Sequence, residues 1–116
     1  MMTHKELEEY MLAKPGAKLD YPFGEKVATY KIGDKMFALI QEGSNPVRIS
    51  LKSDPRLSLI LRERYESVMP GYHLNKKHWN TIILTGQLDN DEITGLIDHS
   101  YNLVSGSVAD GATIEK

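Results

Sequence analysis

Val27 to Ile32 and Met36 to Ile40 flank Gly33-Asp34-Lys35, and this pair of runs limits the chain to folds built around a sheet. A Gly-containing turn between two strand-forming runs is a hairpin signal, because the turn needs a residue that takes positive φ freely. The second run, Met36-Phe-Ala-Leu-Ile40, is apolar at every position, which predicts a central strand covered on both faces. Val47, Ile49 and Leu51 then alternate with Arg48, Ser50 and Lys52. That period of two predicts a third strand with one buried face and one polar, basic face. A fourth strand is expected near Asn80–Thr85, closed by Gly86.

Three helices frame these strands. Thr3-His4-Lys5-Glu6 has capping-box spacing, Leu7, Tyr10 and Met11 follow at helical spacing, and Lys14-Pro15-Gly16 stops the run. Glu6, Glu8 and Glu9 lie where the helix dipole favours negative charge, which accounts for them without the alternative of a metal-binding ridge. Asp54 is a cap with Pro55 at the first helical position, and Leu57, Ile60, Leu61 and Val68 form the apolar stripe up to Met69-Pro70-Gly71. Asp89-Asn90-Asp91-Glu92 offers caps for a third helix, in which Ile93, Leu96, Ile97, Tyr101 and Val104 recur on one face. Ser105-Gly106-Ser107 is expected to break it and to leave residues 105–116 as a loose tail.

The predicted order is α-β-β-β-α-β-α in one α+β domain over residues 1–116, an antiparallel sheet with helices packed on one face. Its expected core is Leu7, Tyr10, Phe37, Leu39, Ile49, Leu51, Ile60, Leu61, Ile83, Ile97 and Tyr101. Tyr21 and Phe23, in the turn-rich bridge Asp20-Tyr-Pro-Phe-Gly24, are expected as aromatic plugs under a loop, with a ligand-stacking pair as the alternative.

Composition narrows the chemistry. The 116 residues include no cysteine, which removes disulfides, thiolate nucleophiles and Cys-ligated zinc. No apolar run approaches a membrane span and the N-terminus lacks a signal peptide's apolar segment, so a soluble, cytoplasmic chain with no membrane partner is expected. The net charge of −2 is unevenly distributed. Between Val47 and Asn80 seven basic side chains face three acidic ones, a local +4 inside an otherwise acidic chain, as a small anion-binding patch requires.

The stretch Gly71-Tyr-His-Leu-Asn-Lys-Lys-His-Trp79 ends that span and holds the one tryptophan, two of four histidines and the one Lys-Lys pair. Solvated lysines with Trp79 as a core anchor explain it; a basic rim offered to a partner explains it equally. His73 and His78 are five apart, which puts them on one face of neither a helix nor a strand, and no carboxylate accompanies them as a third ligand. No P-loop, Gly-x-Gly-x-x-Gly run, His-Glu-x-x-His or nucleophile elbow is present, and Ser53, Ser58 and Ser100 have no identifiable base. No enzyme activity, metal or cofactor is therefore expected.

Asp20-Tyr-Pro-Phe-Gly24, Gly33-Asp-Lys-Met-Phe37, Val68-Met-Pro-Gly-Tyr-His-Leu-Asn-Lys-Lys-His-Trp79 and Ser100-Tyr-Asn-Leu-Val104 together resemble the MmcQ/YjbR family of small bacterial proteins, in order and over roughly residues 3–104. The resemblance implies a CyaY-like fold and, through the likeness of sheet and loops to a "double wing", DNA as the partner. It marks Asn75-Lys76-Lys77-His78-Trp79 as the most distinctive segment. Family tails after the Ser-Tyr-x-Leu-Val motif are often basic, whereas Ser105 to Glu115 here holds no Lys or Arg. The expected DNA contacts are Lys76, Lys77 and His78, with Asn75 and His73 beside them and Arg48 and Lys52 on the polar sheet face. Trp79 or Tyr72 is the candidate for stacking an unpaired base. A protein-interaction or small-ligand module is the alternative.

Overall fold

A computed structural model describes residues 1–71 and 74–109, the last three by backbone alone. The elements are α1 (His4–Leu12), β1 (Ala17–Asp20), β2 (Val27–Ile32), β3 (Lys35–Gln41), β4 (Arg48–Lys52), α2 (Pro55–Arg64), β5 (Val68–Pro70), β6 (Trp79–Ile83) and α3 (Asn90–Ala109). The strands form one antiparallel sheet in the order β1-β2-β3-β4-β6-β5. This is the expected α+β layer fold with two added strands, and both additions are sheet edges. Runs of four and three residues are too short to show a period, so β1 and β5 left no pattern in the sequence. Pro70 suits an edge, where a missing N–H costs no ladder bond.

The helix caps are as read. Glu6 N donates to Thr3 Oγ1 and Thr3 N to Glu6 Oε1, Asp54 Oδ1 accepts from Arg56 N and Leu57 N, and Asp89 with Glu92 repeats the reciprocal arrangement. Two helix ends differ. α2 stops at Arg64, with Tyr65 extended at φ −126° and ψ 123°, and Val68 belongs to β5. The shorter helix buries Ser58 and Leu61, leaving Ile60 45% exposed, about 100° around the axis from Leu61. α3 continues through Ser105-Gly106-Ser107 to Ala109. One helical glycine costs only about 1 kcal/mol relative to alanine, which Val104, buried just before it, helps to offset. Residues 110–116 of the expected tail lie outside the described residues.

Register decides which side chains meet the helices. Ala28 pairs with Ile40, Tyr30 with Ala38, Ile40 with Ile49, Ala38 with Leu51, and Ile49 with Ile82, which pairs in turn with Val68. These side chains join Leu7 and Met11 of α1, Leu61 of α2 and Ile93, Ile97 and Val104 of α3 in one buried cluster. All three helices therefore cover one face of the sheet. Ile82 takes the core position assigned to Ile83, since a shift of one residue changes the face. Tyr10 and Tyr101 are half-buried at the edge of the cluster.

A bulge adjusts the centre. The β2–β3 register shifts between Tyr30 and Lys31, which leaves Phe37 without a partner in the ladder. The Phe37 ring meets Tyr101 of α3 edge-on, with centroids 5.4 Å apart. Ser100 Oγ donates to the Phe37 carbonyl at 2.5 Å and accepts from Lys52 N at 3.0 Å, so one fully buried hydroxyl serves two backbone groups. No helix among the described residues is long and apolar enough to cross a membrane.

Candidate functional site

Among the described residues, no helix covers the opposite sheet face. Its side chains form rows across the strands: Thr29, Leu39, Ser50, Thr81 and Met69 stand in register on β2, β3, β4, β6 and β5. On one side of this row are Val27 paired with Gln41 and Arg48 paired with Ile83; on the other is Lys52 paired with Trp79. The alternation read for Arg48, Ser50 and Lys52 thus holds, and these three point away from the helices. Arg48 and Lys52 are four residues apart, about 13 Å along the strand.

The basic turn adjoins the Lys52 end. Asn75 Oδ1 accepts from Lys77 N at 2.8 Å, and the Asn75 carbonyl accepts from His78 N and Trp79 N, which closes a single tight turn with Lys76 and Lys77 exposed. Ser53 N donates to the His78 carbonyl at 2.8 Å, tying the turn to the end of β4. Lys52, Lys76, Lys77, Asn75 and half-buried His78 are therefore brought together, while Arg48 stands at the far end of the same strand face. His73 and Tyr72 lie outside the described residues. The four ion pairs among the described residues use His4, Lys14 and Lys31 as cations and leave out Arg48, Lys52, Lys76 and Lys77.

One basic side chain of the +4 span has an internal role. Arg62 reaches from α2 with Nε 2.6 Å from Asn80 Oδ1, and its Nη2 donates to the Lys76 and Trp79 carbonyls. Asn80, itself buried, returns a bond from Nδ2 to the Ser58 carbonyl at 3.1 Å. The Lys-Lys turn is thus held from beneath by a guanidinium.

Trp79 is 6% exposed, so the indole is an anchor and not a stacking platform. It is enclosed on one side by Gly71, where an added Cβ would lie 2.8 Å from the Trp79 Cβ and 3.2 Å from that of Leu74. Tyr21 and Phe23 are 39% and 58% exposed, contrary to the expected plugs, and Phe23 is the more open of the two. Gly24 takes φ +101° and its N–H donates to the Tyr21 carbonyl, while Tyr21 Oη donates to Glu42 Oε2 at 2.8 Å. This fixed turn holds Phe23 out over the sheet.

Between Phe23 and Leu74 the helix-free face sinks into a depression of about 650 Å³. Val27, Leu39 and Met69 give it an apolar floor, with Gln41, Ser50 and Thr81 among them and Lys26 and Arg48 as its charged lining. Ser50 Oγ and Thr81 Oγ1 are 2.8 Å apart and satisfy one another. The Arg48-x-Ser50 alternation was the available sequence signal for this site; Gln41, Thr81, Lys26 and Leu74 join it only through sheet register and loop path.

Two of the N-terminal acids are otherwise engaged. Glu6 closes its capping box, and Glu8 Oε1 accepts from Tyr30 Oη at 2.8 Å, a hydroxyl that burial and then this bond keep protonated well above the usual tyrosine range. No three His, Asp or Glu side chains gather as a metal site among the described residues. Ser53 Oγ lies 2.5 Å from Ser58 Oγ, and His99 Nε2 accepts from Asp54 N, so these groups serve the start of α2.

Known proteins share this fold and much of this sequence. The chain is 41% identical over 100 residues to YjbR of Escherichia coli K12, covering 86% of this chain and 85% of that one. It is 31% identical to YyaQ of Bacillus subtilis, covering 89% and 98% of the two chains. The crystal structure of a Deinococcus radiodurans protein with domain DUF419 superimposes with a TM-score of 0.88 at 34% identity, over 99% of this chain and 85% of the other. A Pseudomonas syringae protein superimposes with a TM-score of 0.76 at 32% identity, over 89% of this chain and 99% of the other. The relatives' names state no activity, so they bring none to this site. The YjbR family model matches residues 12–103, a span that takes in the basic face of β4, the Lys-Lys turn and the Arg62 clamp beneath it, and the chain belongs to that family.

Proposed function

We propose that this protein is a non-catalytic DNA-binding module that meets the phosphate backbone with the Lys52 end of its helix-free face. The observation that supports this is the register of Lys52 opposite Trp79, which sets the basic side of β4 against the Asn75–His78 turn. Lys52, Lys76 and Lys77 form one cationic edge there, with Arg48 extending it along the strand. Phosphate contacts of this kind release counterions and give affinity with little sequence preference. A small count of cations on a chain of net charge −2 suits weak, salt-sensitive association. Asn75 has its oxygen engaged in the turn, so its contribution to DNA is through the amide nitrogen. His78 adds a donor at both ring nitrogens when protonated.

Backbone amide shifts on titration with a short duplex test this directly. Perturbation should concentrate at Lys52 and Asn75–His78, extend to Arg48, and spare the outer surface of α3. Shifts confined to the exposed pair Leu59 and Ile60 on α2, or no shifts at low salt, would overturn the proposal.

A further inference from the structure

The depression on the helix-free face is a different kind of site from the lysine edge beside it. Sheet faces turned to water are ordinarily polar. This one has Leu39 at 8% exposure on its floor and Phe23 at 58% on its rim, with Val27, Met69 and Leu74 completing an apolar surface. Its hydroxyls are already paired, Ser50 with Thr81, so covering them costs less than covering unpaired groups. Its charges are of one sign. Among the described residues, Arg48 and Lys26 line it and no carboxylate does. The volume, about 650 Å³, lies within the range of small-molecule pockets.

The charged side chains are also gathered at one side. Gln41 stands opposite Val27 on β2, the residue after Lys26, and Arg48 opens the neighbouring strand, so the cationic side chains share one side of the depression. Met69 lies on β5, the far edge strand, and Leu74 follows it in the chain. An occupant must therefore present an anion at one end and an apolar body at the other. Carboxylate and phosphate both match the planar fork of an arginine through two parallel N–H···O bonds, and the singly charged carboxylate loses less hydration on entering an apolar depression.

We propose that this depression binds a small organic carboxylate with an apolar body, its carboxylate on Arg48 and Lys26 and its body across Leu39 toward Met69 and Leu74, under the ring of Phe23. The proposal does not rest on the DNA function; Arg48 alone is common to both, and Lys76 and Lys77 take no part in it.

The test uses 1-naphthylacetate, its uncharged isostere 1-naphthylacetamide and 1-naphthyl phosphate, each titrated into the full chain by calorimetry and amide chemical shifts. Naphthylacetate should bind one saturable site with shifts at Leu39, Gln41, Ser50 and Thr81, and the amide should bind at least tenfold more weakly. Arg48→Met should narrow the acid's advantage over the amide several-fold, with Lys26 keeping the remainder, and leave the amide unchanged. Phe23→Ala, at an exposed position, should weaken both. Lys76→Ala/Lys77→Ala should weaken neither, even as it weakens DNA binding. Equal binding of acid and amide, or an Arg48→Met variant that keeps the whole difference between them, would overturn the proposal. So would shifts elsewhere on the protein, or a preference for naphthyl phosphate over naphthylacetate.

Discussion

Arg62 Nε lies 2.6 Å from Asn80 Oδ1, one of the bonds that join α2 to β6 at the point where the basic turn enters the sheet. The same guanidinium donates to the Lys76 and Trp79 carbonyls, so the turn's backbone depends on a side chain fourteen residues earlier. Arg62→Met should cost about 1.5–3 kcal/mol, the range for hydrogen bonds to a charged group. Urea denaturation checks this, and Asn80→Ala combined with Arg62→Met should fall well short of the sum of the single losses.

Gly71 and Trp79 form a second close pair. A Cβ on Gly71 would stand 2.8 Å from the Trp79 Cβ, a separation that forces the strand or the loop to move. Gly71→Ala is expected to cost about 1–3 kcal/mol through overpacking. Trp79→Ala, at a position 6% exposed, is expected to cost about 3–5 kcal/mol. Denaturant midpoints measure both; a midpoint unchanged in Trp79→Ala would contradict the anchor role.

Ser100→Ala tests how the bulge is held. Removing its hydroxyl leaves the Phe37 carbonyl and the Lys52 N–H without their partner in the interior of the sheet–helix contact. Each buried group left unpaired costs about 1–3 kcal/mol, and water entry should keep the total at the lower end. Amide exchange at Lys52 should speed up more than the global loss of stability accounts for.

The parts of the fold that follow period or cap chemistry were legible in the sequence. Thr3, Asp54 and Asp89 named the helix starts, and Val47-Arg48-Ile49-Ser50-Leu51-Lys52 assigned each residue of β4 to its face. What depended on partners distant in sequence was not. Ile82 and Ile83 are alike as residues, and only pairing with Ile49 and Val68 decides between them. Ile60 became exposed because α2 ends at Arg64 and its buried side runs through Ser58, a small polar residue that apolar periodicity passes over. At the candidate site, Lys76, Lys77 and Lys52 were read from charge and alternation, and register brings them together. The internal role of Arg62 and the position of Phe23 over the sheet were hidden, since an arginine that clamps a carbonyl looks no different in sequence from one that meets a phosphate.

Tyr10, Asp98 and Lys14 make stability depend on pH at both extremes. Tyr10 Oη donates to Asp98 Oδ1 at 2.7 Å, and Lys14 Nζ lies 2.6 Å from the same oxygen. Burial pushes the Asp98 carboxyl up, but the hydrogen bonds from Lys14 and then Tyr10 outweigh it and leave it below 3.8. A depressed folded-state value contributes stability above 3.8, lost as pH falls below it. The Tyr10 hydroxyl is raised above 10.0, first by its bond to Asp98 and then by burial, so its contribution is full below pH 10 and lost above it. Asp98→Asn should flatten both limbs of the stability–pH curve. At neutral pH it should cost no more than about 1 kcal/mol, because the Asp98 side chain is 44% exposed and the pair is screened.

The most direct measurement of the proposed function is fluorescence anisotropy of labelled duplex DNA over a salt series, with wild-type protein and Lys76→Ala/Lys77→Ala compared. Each cation that neutralises a phosphate contributes about 0.9 to the slope of log K against log salt. Wild-type affinity should fall steeply with salt, and the double variant should flatten that slope by roughly two while weakening all sequences alike. No salt-dependent association of the wild-type protein at low ionic strength, or an unchanged slope in the double variant, would contradict DNA binding at this edge.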